Sequence, residues 1–213
     1  MKIGSVTFRL TAGFALSVLS PFAGGAPVAA QQAQYEPTLE EARTAATRFA
    51  DVSAAVAAGY VPDPTGMCIT AELEGRAPDE GAMGLHYFRP DLLGLVPGGE
   101  RVNGTGTHTD FRDPAVLLYE PQADGSLVLV GVENLVFQKA WREAGHTEPP
   151  TFHGRSFDPM MDDPNTPLDE AHGFEPHFDQ HVWLFRENPR GDLTPFNPAV
   201  TCAHAARAAS TGS

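Results

Sequence analysis

Lysine is nearly missing from this chain. Lys2 and Lys139 are the only two, and the 14 cations are otherwise arginines, set against 27 acids for a formal net charge of −13. A surface this acidic excludes the phosphate-neutralising contacts that nucleic-acid binding needs, and it disfavours anionic membranes. Cysteine is equally scarce, with only Cys68 and Cys202 present. There is no Cys-x-x-Cys pair, so a thiolate zinc site or dithiol redox motif is not encoded. Also missing are a Gly-x-Ser-x-Gly elbow, a P-loop, a His-Glu-x-x-His helix and a dinucleotide fingerprint following a strand. Serine hydrolase, kinase and nucleotide-dependent chemistries are therefore disfavoured. No apolar run after residue 30 is long enough to span a bilayer.

The first thirty residues read as a secretory signal. Lys2 and Arg9 supply the positive region, Leu10 to Leu19 the apolar core, and Val28-Ala29-Ala30 a small-residue cleavage site. The expected mature protein is one globular domain over residues 31–213, secreted or periplasmic, with a formal charge of −15 once Lys2 and Arg9 are gone. In that compartment the two cysteines are expected to pair. Closing so long a loop stabilises the fold by about 4–5 kcal/mol in the chain-entropy picture.

Thr38-Leu39-Glu40-Glu41 is a capping box. Leu39, Ala42, Ala46, Phe49, Val52 and Val56 then recur at helical spacing up to Gly59. They predict one long helix over 39–58. Strands are expected at 83–88, 115–120, 126–137 and 176–185, with Asp124-Gly125 turning the middle pair into a hairpin. The fold class is α+β: a curved, mainly antiparallel sheet, cupin-like or cone-shaped, packed by the long N-terminal helix. The acidic stretch 158–175 reads as a loop or lid. It lacks the glycine and terminal glutamate of an EF-hand, so calcium is not expected there.

The last strand carries unusual chemistry. Alternation puts His177, Asp179, His181, Trp183 and Phe185 on one face. His86 lies within another expected strand. Glu133 interrupts Leu129 to Phe137, with Leu129, Gly131, Leu135 and Phe137 as its expected face-mates. A carboxylate in so apolar a run needs a partner or a proton. Its bland reading is an ion pair with Arg89, Arg112 or Arg186, with Asn134 as the functional neighbour. The functional reading is a two-His-one-carboxylate set, His86, Glu133 and His181, for a divalent transition ion: Fe, Mn, Zn or Cu. Same-face neighbours on a strand sit about 6.5–7 Å apart, so His177 and Asp179 could not complete such a site without other strands.

His177, Asp179 and His153 are the candidate catalytic groups, and Trp183 with Phe185 would wall an apolar pocket for a small-molecule ligand. The alternatives are a metal-free His/Asp acid–base enzyme of isomerase or dehydratase type, and a secreted ligand-binding module without catalysis. His108 and His172 fall in expected loops and carry less weight.

Several stretches resemble a group of exported bacterial hypothetical proteins. These are Gly81 to Tyr87, Ala115 to Glu120, Leu129 to Glu133, His181 to Phe185, Asn188 to Gly191 and Phe196 to Cys202. The likeness spans about two-thirds of the mature chain and includes His86, Glu133 and His181. It implies export, and it implies no activity.

Overall fold

A computed structural model describes residues 36–205. The expected signal at 1–30 and the lead-in that follows it lie outside the described residues. Eleven strands occur in chain order: β1 Val61–Pro62, β2 Cys68–Thr70, β3 Ala82–Phe88, β4 Leu95–Val96, β5 Asn103–Gly104, β6 Val116–Pro121, β7 Leu127–Phe137, β8 Thr151–Phe152, β9 Arg155–Ser156, β10 Asp158–Met160 and β11 His177–Val182. The main sheet runs β1-β3-β6-β7-β11-β10, with β2 also paired to β3. Every ladder in it is antiparallel. This bears out the α+β class. The sheet is open, with edges at β1 and β10, so the cupin-like closure is not supported.

The long helix is a second correction. The segment is α1 Leu39–Ala46, a 3-10 turn Thr47–Phe49, then α2 Val52–Ala57. The capping box forms as expected, with Glu41 N donating to Thr38 Oγ1 at 3.2 Å and Thr38 N donating to Glu41 Oε2 at 2.8 Å. A continuous helix would join Ser53 N–H to the Phe49 carbonyl. Both partners are taken. Tyr119 Oη donates to that carbonyl at 2.7 Å, and Asp51 Oδ1 accepts from Ser53 N at 2.8 Å. Asp51 adopts extended backbone and caps α2, a role its short side chain fills better than helix interior. Gly59, at φ +96°, ends the run as expected.

Small residues let α1 and α2 lie close to the sheet. Ala42, Ala46, Phe49 and Ala55 pack with Leu117, Tyr119, Val132, Val136, Phe178 and Val182 on one face. The other face carries Val116, Leu118, Leu135 and Phe137, and with them the chemistry-bearing residues. Two further helices, α3 Pro90–Leu93 and α4 Gln138–Glu143, are short.

The hairpin β6–β7 turns at Asp124-Gly125, with Gly125 at φ +83° and Asp124 Oδ1 accepting from Ser126 N at 3.0 Å. Its register shifts because Leu118 pairs with Gly131 while Tyr119 pairs with Leu129, leaving Val130 as the extra residue. Alternation breaks there. Leu129 therefore packs on the helix side with Val132, not beside Glu133 as simple alternation requires. The Val130 carbonyl instead accepts from Phe185 N and Arg186 N at 3.1 and 3.2 Å.

Candidate metal centre

Three strands build the centre. On β11, His181 pairs in register with Glu133 of β7, and Glu133 pairs on its other side with Val116 of β6. His86 stands one strand further out on β3, opposite Leu118. Their side chains converge across the sheet. His86 Nε2 lies 3.3 Å and His181 Nε2 3.5 Å from Glu133 Oε2. One donor atom from each residue falls within 4.8 Å of the other two, so the group could hold a metal ion. All three are buried, His86 to 8%, Glu133 to 2% and His181 to 1% exposure.

Hydrogen bonding leaves the cluster incompletely matched. Neither ring nitrogen of His181 has a hydrogen-bond partner, and Glu133 Oε2 and His86 Nδ1 have none either. The contacts of both imidazoles with Glu133, at 3.3 and 3.5 Å, are close enough for charge pairing. Buried polar atoms left unmatched cost about 1–3 kcal/mol each, and native folds keep few of them. The arginines that could have neutralised Glu133 are engaged elsewhere: Arg186 with Glu120 at 2.6 Å, Arg89 with Asp91 at 2.7 Å and Arg112 with Asp110 at 2.9 Å. Asn134 is structural, its Oδ1 accepting from Ala115 N at 2.8 Å.

Burial and neighbouring charge divide the titrations. Burial alone would raise the Glu133 carboxyl, but the imidazoles of His181 and His86 draw it down to about 2. Burial pushes His86 down, yet its contact with Glu133 leaves it net raised. Burial lowers His181, only partly offset by Glu133. These directions favour an ionised Glu133 and a neutral His181, with His86 the imidazole that keeps its proton longer as pH rises. A deprotonated carboxylate and neutral imidazole are the forms that ligate metals.

His177 and Asp179 line the same cavity further along β11. Their closest atoms, His177 Nε2 and Asp179 Oδ2, are 4.0 Å apart. His177 Nδ1 donates to the Glu175 carbonyl at 3.0 Å, which leaves the Nε2 lone pair directed away from that bond. Burial drives His177 down to about 4. Burial together with the Glu133 charge raises Asp179 well above the usual carboxylate range, which favours its neutral form. His153 is not brought to the site. Its Nε2 faces the Pro37 carbonyl at 2.9 Å beside the N-terminal segment. His108 Nε2 bonds the Asp113 carbonyl at 2.7 Å and is structural.

The aromatic wall differs from the one expected. Strand β11 ends at Val182, where Trp183 N turns to donate to the Asp192 carbonyl at 2.8 Å. Trp183 packs beside His181, ring centroids 6.4 Å apart, over Gly131, where an added Cβ would meet the Val182 carbonyl at 2.9 Å. Phe185 packs with the helix-side core. Phe88, Leu135, Met160 and Phe174 line the cavity instead. The cavity measures about 30 Å³, room for an ion and one or two water-sized molecules.

Sequence reasoning undervalued His172. It also lines the cavity, with Nε2 at 2.6 Å from Glu74 Oε1. The partners are 98 residues apart, and no local pattern marks such a pair.

Fold and site together define an α+β protein with a buried His–Glu–His cluster on the sheet face opposite α1 and α2. No protein-family model, curated protein or solved structure matches the chain.

Proposed function

We propose that this is an exported metal-dependent enzyme in which His86, Glu133 and His181 hold a divalent transition ion, Fe, Mn, Zn or Cu. The observation that carries the reading is the convergence of three buried donor atoms within 4.8 Å while Glu133 Oε2 and both nitrogens of His181 lack hydrogen-bond partners. Two imidazoles and one carboxylate suit these ions and leave coordination positions open. Bound there, such an ion would supply Lewis-acid or redox chemistry to a small molecule. His177 offers a neutral Nε2 as proton acceptor, fixed in its tautomer by the Glu175 carbonyl. Asp179, kept neutral, offers a proton. Phe88, Leu135 and Phe174 give the cavity an apolar lining. The signal-like residues 1–30 and the Cys68–Cys202 disulfide support a secreted or periplasmic location. The partner is a small molecule, not nucleic acid or membrane.

The test is elemental analysis of the purified protein, repeated after chelation and reloading. The wild type is expected to take up one equivalent of one of these ions, and His181→Ala and Glu133→Gln to lose it. A second reading is favoured by the His177–Asp179 approach: a metal-free acid–base enzyme, in which His177 abstracts a proton beside neutral Asp179. It predicts activity that survives chelation and is lost in His177→Asn.

A further inference from the structure

A second concavity lies against the first. A cleft of about 430 Å³ is lined by Arg76, Arg155, Arg190, Glu80, Asp158 and Phe196, among others, a size typical of small-molecule sites. Three guanidiniums in one cleft stand out in a chain of net charge −13 with 14 cations. Arg76 is locked, donating from Nε and Nη2 to Glu80 Oε2 at 3.0 and 2.7 Å while its guanidinium lies over the Phe196 ring at 5.5 Å. Arg190 approaches Glu80 only at 3.6 Å, and its guanidinium makes no hydrogen bond among the described residues. Arg155 spends one nitrogen on Asp158 at 2.5 Å, while its Nε is buried without a partner. The three guanidiniums face three carboxylates, Glu74, Glu80 and Asp158, yet Arg190 and the Nε of Arg155 keep donors that no acceptor in the cleft takes up, and planar oxyanions match such donors by paired bonds. Met160 lines both the cleft and the metal cavity. Glu74 lines the cleft, and its partner His172 lines the cavity.

We propose that the arginine cleft binds an oxyanion, carboxylate or phosphate, at one end of the small molecule whose other end is presented to the His86–Glu133–His181 centre. The link to that centre rests on the metal reading above, while the cleft is tested without it. The full chain, stripped of metal by chelation, is titrated calorimetrically with succinate, inorganic phosphate and the neutral control succinamide. At least one anion binds and succinamide does not. Succinate alone marks an organic acid, and phosphate alone a phosphate ester. Arg155→Gln and Arg190→Gln each weaken binding about tenfold, the loss of one charged hydrogen-bonded contact, at an unchanged thermal midpoint because both side chains are partly exposed. His181→Ala leaves anion affinity as it was. Binding of neither anion overturns the proposal, as does affinity that both arginine variants retain or that His181→Ala abolishes. Metal uptake is measured separately. A chain that takes up no divalent ion overturns the metal reading, and the arginine result stands or falls without it.

Discussion

His177 shows how far one buried side chain can shape the pH response. Its folded pKa of about 4 lies below the ordinary 6.5, so between those values the unfolded chain binds a proton that the folded chain refuses. Stability therefore falls as pH drops from 6.5 toward 4, by up to about 3 kcal/mol for this group. His177→Asn is expected to flatten that part of the profile in urea melts of chelated protein; an unchanged slope would contradict it. His86 works in the opposite sense. Its raised value gives the metal-free fold stability that is present below pH 6.5 and lost as pH rises through the folded pKa. The same proton would compete with an ion at the proposed centre. The cluster was legible in the sequence because Glu133 sits in an apolar run and the two histidines sit in strands. The lining was less legible. Phe185 shares a face with His181 only if the strand continues, and it stops at Val182, while Trp183 stays beside His181 without lining the cavity. Leu129 fails for a related reason, the extra residue Val130.

Among elements, the helical segment was legible in its cap and its apolar spacing but not in its continuity. Tyr119 is 70 residues from Phe49, and its hydroxyl decides where the helix breaks. Tyr119→Phe leaves the Phe49 carbonyl unmatched and should cost about 1 kcal/mol in chemical denaturation. The acidic stretch is part strand and part cover. Asp158–Met160 pairs with β11, and Ala171, His172 and Phe174 line the cavity. Arg101 holds this cover, bonding the Phe174 carbonyl at 2.6 Å, Asp162 at 2.8 Å and Asp169 at 2.7 Å. Arg101→Ala should raise amide exchange across 161–175 while β6 and β7 stay protected. Equal protection in both proteins would remove Arg101 as the clasp.

For the whole molecule, the expected disulfide is present, joining Cys68 of β2 to Cys202 across 134 residues. The C-terminal tail it anchors is also stitched by the Ala82–Asn197 bridge and by Thr201 N donating to Glu120 at 2.9 Å. The close crossing needs Gly81, where an added Cβ would meet the Asn197 carbonyl at 2.1 Å. Replacing both cysteines by alanine should lower the unfolding free energy by about 2–5 kcal/mol, read as an earlier urea midpoint. Among the described residues no helix is long and apolar enough to cross a membrane. Sheet order, by contrast, was not legible. Edge strands of two or three residues such as β1 and β2 are too short to leave a pattern, and Pro62 reads as loop although an edge tolerates it.

The central claim is that His86, Glu133 and His181 bind one ion together. X-ray absorption on protein loaded with one equivalent of Cu(II) or Zn(II) tests it most directly. The account predicts outer-shell scattering from two imidazoles, falling to one in His86→Ala. A spectrum with no imidazole scattering, or one unchanged in His86→Ala and His181→Ala, would contradict it.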